Sequence, residues 1–184
     1  MKTDISLYNN AWYNTGGSSL KRVIWFYTNV IFFNNSLFPV NAVKIFLLKI
    51  FGAKIGKGVV IKPSVNIKYP WNVSIGDYSW IGENVWIDSL VNISIGSNVC
   101  VSQGAYLLTG NHNYKKPTFD LMVQPITLED GVWIGARAIV CPGVICKTHA
   151  VLTAGSTATK NLEAYTVCRG NPAVKIKDRT IEEN

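Results

Sequence analysis

Residues 55–114 read IGKGVVIKPSVNIKYPWNVS (55–74), IGDYSWIGENVWIDSLVNIS (75–94) and IGSNVCVSQGAYLLTGNHNY (95–114), three copies of one 20-residue unit. Alignment puts Ile55, Ile75 and Ile95 in one column, Gly56, Gly76 and Gly96 in the next, and Ile61, Ile81 and Val101 six positions on. An internal repeat of this length signals stacked coils. Inside each copy, aliphatic residues recur in sixes: Ile55, Ile61, Ile67; Ile75, Ile81, Ile87; Ile95, Val101, Leu107. Strict alternation would mark a half-buried strand and a 3.6 spacing a helix, and six is neither. It fits a short strand plus a corner, with three strands to each triangular turn. The aliphatic residue of each hexad then points into a narrow prism. The Gly that often follows it suits a corner needing unusual dihedrals or close backbone approach.

The register resumes at Leu128, Ile134, Val140, Cys146, Leu152 and Ala158, but 21 residues separate Leu107 from Leu128 where one hexad needs six. Residues 113–127 are therefore expected to leave the coil as a loop, with His112 at its root. Long excursions from a compact scaffold are usually functional or disordered, and Tyr114, Phe119, Leu121 and Met122 make this one too apolar for a solvated tail. The alignment also sets His112 where the earlier copies carry Asn72 and Asn92. It reads either as a corner residue, since His tolerates turn dihedrals, or as a general base, because an imidazole near neutrality can take a proton from a weakly nucleophilic hydroxyl.

With 184 residues, 48% of them apolar, the chain suits one domain with a substantial core. The net charge of +7 calls for an anionic ligand or surface. Nucleic acid is not favoured, because no Lys/Arg run interleaved with aromatics occurs. Cys100, Cys141, Cys146 and Cys168 have no CxxC spacing and indicate neither a zinc site nor a disulfide framework, so the chain reads as cytoplasmic. Cys146 falls on an inward hexad position, where small apolar filler is the better reading. Asn72-Val-Ser and Asn92-Ile-Ser match glycosylation sequons but read as corner residues.

Residues 1–52 form an N-terminal extension of a different kind, ahead of a repeat domain at 53–178 and a tail at 179–184. Ser18 and Ser19 can cap a helix starting near Leu20, and Val43, Phe46, Leu47, Ile50 and Phe51 keep helical spacing, which predicts helices near 19–33 and 40–51. The run VIWFYTNVIFF has only eleven residues, too few to cross a bilayer. Two roles stay open for these amphipathic helices: packing on the coil and a neighbouring subunit, or peripheral membrane contact behind Lys21 and Arg22.

The hexads, TGNHNY at the loop root, GVWIGARAIVCPGV, AGSTATK and the closing RGNPAVKIK together resemble the left-handed β-helix, hexapeptide-repeat acyltransferases over roughly residues 50–178. Within that family the chain is most similar to the O-acetyltransferases of colanic-acid-type exopolysaccharide biosynthesis, with maltose and galactoside acetyltransferases as wider relatives. The resemblance implies an all-β solenoid, a left-handed parallel β-helix, since general crossover rules alone favour the opposite hand. It also implies a homotrimer that uses acetyl-CoA and needs no metal. His112 would be the catalytic base, with backbone N–H groups stabilising the oxyanion.

For the cofactor, the family pattern puts Trp133 at the acetyl end, the backbones of Ala136 and Ala154 against the pantetheine amides, Thr159 and Lys160 near adenosine, and Lys177 on a phosphate. The bland readings are surface packing, corner filler and solvated charge. Asp88, just before the corner, is expected to bind an acceptor hydroxyl or steer the imidazole, or merely to cap the turn; Asn111 could do similar work, and Asn84 is expected in solvent. Where sugar acetyltransferases carry an acceptor-binding Asn, this chain has Gly82. His149, the only other histidine, is expected on the surface or at an interface, and two histidines cannot build the three-histidine zinc site of γ-class carbonic anhydrases on the same coil. The expected activity is acetyl transfer to a hydroxyl of a saccharide or lipid-linked saccharide. The rivals are an amino sugar or serine as acceptor, and a non-catalytic scaffold.

Overall fold

The computed structural model describes residues 2–182; the last two residues of the expected tail, 183–184, lie outside it. The hexads form three parallel sheets, one per side of a solenoid. Their register matches the six-residue period. Ile55 pairs with Ile75, Ile75 with Ile95, Ile95 with Leu128 and Leu128 with Cys146 on the first side. Ile61, Ile81, Val101, Ile134, Leu152 and Cys168 stack on the second. Ile67, Ile87, Leu107, Val140 and Ala158 stack on the third. All but the terminal Ile55 are buried, so each coil contributes one side chain per face to a continuous dry column. Cys146 is one of them. Burial, followed by the nearby Cys168, pushes its thiol up to about 12, which leaves it an inert filler.

Between the two explanations for the glycine after each inward aliphatic residue, the structure selects close approach. A Cβ on Gly76 would lie 2.6 Å from the carbonyl carbon of Gly96 in the next coil. The left-handed backbone comes two residues later, in columns such as Gly58, Tyr78, Asn98, Gly131, His149 and Tyr165. His149 thus occupies a strained corner, half-buried, its ring stacked on Tyr165 at 4.8 Å between centroids.

The two N-terminal helices close the first coil. Helix α1 (Ser19–Thr28), capped by Ser18 and continued by a wider turn over Asn29–Phe33, and helix α2 (Asn41–Ile50) fall close to the predicted spans. A solenoid end exposes unpaired strand edges, and here side chains satisfy them. Trp25 Nε1 donates to the Ile67 carbonyl at 2.8 Å, and Asn29 Oδ1 accepts from the Ile67 N–H. Asn41 bonds the Val59 carbonyl and the Ile61 N–H, and the buried Lys44 ammonium donates to the Lys62 carbonyl at 2.9 Å. Burial lowers the Lys44 pKa. No helix among the described residues is long and apolar enough to cross a membrane.

The excursion is where the sequence reading needs correction. It begins earlier and ends earlier than 113–127. Strand Gly110–His112 pairs antiparallel with Leu121–Val123, forming an arm whose root is closed by Gln124 N–H to the Thr109 carbonyl at 3.0 Å. Strand Ile126–Leu128 is already back in the first sheet, with Ile126 beside Ile93. The position of Asn72 and Asn92 therefore belongs to Pro125, and His112 is not their spatial equivalent. At the departure the buried Thr109 hydroxyl donates to the Asp88 carbonyl and accepts from the Leu90 N–H, much as Ser89 bonds the backbone of Tyr69 one coil earlier. Gly110 follows, close against the end of the Leu90 side chain, whose Cδ1 would lie 2.5 Å from a Cβ there.

Candidate active site

His112 stands on the arm, half-buried, with its ring stacked on Phe119 at 4.5 Å and 10° and tilted against Tyr8 at 5.8 Å. Its Nδ1 lies 2.9 Å from the Phe119 carbonyl. A carbonyl only accepts, so Nδ1 carries a hydrogen, and in the neutral ring Nε2 then holds the lone pair. Phe119 reaches this position through a left-handed backbone, φ 51°. The arm tip is held by Lys116 and Thr118, which hydrogen-bond Asp120 and keep its carboxyl below its ordinary range, the lysine contributing most.

A cleft of about 660 Å³ opens beside this ring. Asp88 and Asn111 line it with His112, although the proximity of Asp88 comes from the arm folding back rather than from the repeat equivalence. Asp88 is 6% exposed, and its Oδ1 has no hydrogen-bond partner; Lys68 Nζ lies 3.4 Å away without hydrogen-bond geometry. Ion-paired in this way, Asp88 Oδ1 keeps the capacity to accept a hydrogen bond from a hydroxyl in the cleft. Asp88 does not steer the imidazole through Nδ1, because that bond goes to Phe119. Asn111 spends its side-chain oxygen on the His112 N–H at 2.8 Å.

The N-terminal strap supplies walls that the sequence did not disclose. Asp4 N–H donates to the Pro117 carbonyl of the arm at 2.9 Å, and Tyr8, Tyr13 and Arg22 join the cleft lining. The Tyr13 hydroxyl donates to the Leu90 carbonyl at 2.6 Å, and burial first, then Tyr69 and Asp88, raise its pKa well above the tyrosine range. It is a neutral donor at any working pH.

None of the six expected cofactor residues lines this cleft. Ala136 and Ala154 stack at one corner on successive coils, where Gly155 N–H donates to the Ala136 carbonyl at 2.8 Å. Among the described residues, neither the Ala136 nor the Ala154 N–H donates to another group of the chain. Trp133 lies just before that corner, exposed, its Nε1 donating to Ser102 Oγ at 2.9 Å. Thr159 and Lys160 follow strand Thr157–Ala158 at the next corner, exposed, and Lys177 is exposed on the closing strand Ala173–Asp178. Asn84 is exposed, and Gly82 approaches the next coil, where a Cβ would lie 2.8 Å from the Gln103 nitrogen.

A solenoid of hexads carrying one imidazole on an inserted arm defines a class, and the chain belongs to it: it is a member of the hexapeptide-repeat acyltransferase family. A family model described as the hexapeptide repeat of succinyl-transferase matches residues 72–109 and 125–160, breaking off where the arm leaves the coil. WcaF of Escherichia coli K12, which carries the name of a colanic acid biosynthesis acetyltransferase, is 40% identical over 168 residues, covering 91% of this chain and 92% of its own. The galactoside O-acetyltransferase of the same organism is 30% identical over 135 residues, 72% of this chain and 66% of its own. In fold, the chain is similar to a hexapeptide-repeat acetyltransferase of Vibrio cholerae solved with acetyl-CoA, with a TM-score of 0.78, 23% identity, and coverage of 90% of this chain and 92% of that one.

Proposed function

We propose that the protein is an acetyl-CoA-dependent O-acetyltransferase acting on a saccharide hydroxyl in surface polysaccharide biosynthesis, with His112 as general base. The observation that carries this reading is the Nδ1–H bond of His112 to the Phe119 carbonyl, which fixes the tautomer with a basic Nε2 on a side chain lining a polar cleft. A sugar hydroxyl donating to Asp88 Oδ1 would sit in that cleft. As its oxygen attacks the thioester carbonyl, Nε2 takes the proton; the new C–O bond forms, the C–S bond breaks, and the proton passes to the departing thiolate. No covalent enzyme intermediate is required. Kinship with WcaF and with the galactoside enzyme supports the saccharide, and the acetyl-CoA bound by the Vibrio protein supports the donor.

The active form in this reading is a homotrimer working in the cytoplasm. Separation of the His112 cleft from Trp133, Ala136, Ala154, Thr159, Lys160 and Lys177 within one chain favours a site completed by a neighbouring subunit, whose corner would carry the cofactor to the arm. The free N–H groups of Ala136 and Ala154 suit pantetheine amides, because a larger side chain there would hold the arm of the cofactor away. Acetyl-CoA-dependent release of free thiol in the presence of saccharide acceptors tests the activity, and no acceptor-stimulated release across neutral, amino and lipid-linked sugars would remove it.

The cofactor reading carries its own expected result. Lys160→Ala raises the apparent acetyl-CoA constant, and by more at low salt than at high, since an exposed ammonium acts on phosphate through a screened field. Titration of acetyl-CoA at two ionic strengths checks it. Unchanged binding at both would take Lys160 out of the site.

A further inference from the structure

The arm that carries His112 has few ties to the coil. Gly110–His112 and Leu121–Val123 form a hairpin of three residue pairs, closed at its root by Gln124 and Thr109. A two-stranded hairpin is marginal by itself in water. Beyond that root, the hydrogen bonds of residues 111–123 stay inside the arm with one exception among the described residues: the Asp4 N–H donates to the Pro117 carbonyl at 2.9 Å. The strap that brings Asp4 there also lays Tyr8 against the His112 ring, 5.8 Å between centroids and inclined at 56°. Its other end is fixed to the coil, where the Tyr13 hydroxyl donates to the Leu90 carbonyl and Trp71 Nε1 donates to the Thr15 carbonyl, both at 2.6 Å. Between these anchors Ile5, Leu7 and Trp12 are exposed, so the grip of the strap on the arm comes from Asp4 and Tyr8 rather than from burial of those side chains.

We propose that this strap is a clamp for the base and that Tyr8 is the positioning residue through which it acts: docked, it sets the angle of the arm and with it the place of the His112 imidazole relative to Asp88. The proposal rests on the reading of His112 as general base and of Asp88 as the group that holds the attacking hydroxyl. His112 rides on the arm, whereas Asp88 is buried on strand Trp86–Asp88 of the coil. A hydroxyl that must meet both groups at once needs the arm at one angle, and a misplacement of about 1 Å can cost about 10²-fold in rate. The Phe119 bond does not supply that angle. It joins two residues of the arm, so it fixes the imidazole relative to the arm and travels with it. The strap alone ties the outer part of the arm back to the coil by hydrogen bonds, through Asp4 at one end and Tyr13 and Thr15 at the other.

The test uses the full chain with Tyr8→Ala and Tyr8→Phe. Hydrogen exchange needs no substrate and reads the arm directly. Tyr8→Ala is expected to speed exchange of the amides at 110–123 by about tenfold or more while the coil ladders keep their protection, and Tyr8→Phe, which keeps the ring, to leave the arm protected. In the transfer assay, Tyr8→Ala should lower kcat by about tenfold to a hundredfold with the acetyl-CoA KM within about twofold of wild type, and Tyr8→Phe should recover most of the rate. Asp4→Pro, which has no N–H for the Pro117 carbonyl, should act in the same direction and add little to Tyr8→Ala, because both contacts dock one strap. Unchanged arm exchange in Tyr8→Ala would overturn the proposal, as would a loosened arm that keeps wild-type kcat. A Tyr8→Phe enzyme as slow as Tyr8→Ala would overturn it too, since the hydroxyl would then act on the substrate itself. Lost protection throughout the coil would do the same, with Tyr8 serving the whole fold. Absence of transfer by the wild-type protein would defeat the base instead, and exchange at the arm would still decide whether the strap holds it.

Discussion

His112→Asn lowers acetyl transfer by about 10²- to 10⁴-fold, the range for loss of a general base, while acetyl-CoA binding changes little. The choice of Asn follows from the geometry. Its amide Nδ2 stands at a similar reach to imidazole Nδ1 and can keep donating to the Phe119 carbonyl, whereas nothing in an amide replaces the basic Nε2. The arm itself is held by backbone pairing of Gly110, Asn111 and His112 with Val123, Met122 and Leu121, which the substitution leaves alone. Steady-state rates with saturating acetyl-CoA, together with a cofactor titration, separate the two effects. A His112→Asn enzyme with wild-type turnover would defeat the base.

Ile81→Asp is expected to cost about 4 kcal/mol or more, the magnitude reserved for burying an unpaired charge. Ile81 is 0% exposed, flanked above and below by Val101 and Ile61 in the second-face column. Neither neighbour offers a hydrogen bond, and the prism is too narrow for the side chain to turn out. Since whole domains are stable by only about 5–15 kcal/mol, much of the protein should unfold or aggregate. Chemical unfolding and the soluble fraction measure it; a normally melting, soluble variant would contradict the stacked columns.

The columns were legible because a solenoid repeats one physical constraint in every coil, so the spacing of Ile55, Ile61 and Ile67 suffices to predict what Ile75, Ile81 and Ile87 do. Helix positions were legible from amphipathic spacing and the Ser18 cap, yet not what the helices do at the coil end. That depends on Trp25, Asn29, Asn41 and Lys44 meeting backbone groups well along the chain. The arm misled for a definite reason. Counting the period onward placed His112 beside Asn92, but the period carries no mark of where a chain leaves the coil. The departure shows only in the pairing, where Gly110–His112 leave for an antiparallel arm with Leu121–Val123 and Ile126 resumes beside Ile93.

Within the site, His112, Asp88 and Asn111 could be named in advance, and one cleft gathers them. The group that orients the imidazole could not, because it is the backbone carbonyl of Phe119, turned by a left-handed φ that its residue type does not announce. Tyr8 and Tyr13 were missed for a related reason: they reach the cleft on a strap ahead of α1, with no local motif, while Arg22, singled out only for membrane contact, reaches it from α1 itself. The cofactor residues were accessible only through family resemblance, since Ala136 and Ala154 would act through backbone N–H groups and leave no chemical signature of their own.

The most direct measurement is of the bond the enzyme makes. Wild-type protein, acetyl-CoA and a lipid-linked or free saccharide acceptor should yield an acetylated saccharide whose acetyl group is released by mild alkali, as an oxygen ester is, in step with the thiol released from acetyl-CoA. An alkali-stable amide on an amino sugar, or thiol release with the acetyl group retained on the protein, would contradict the account.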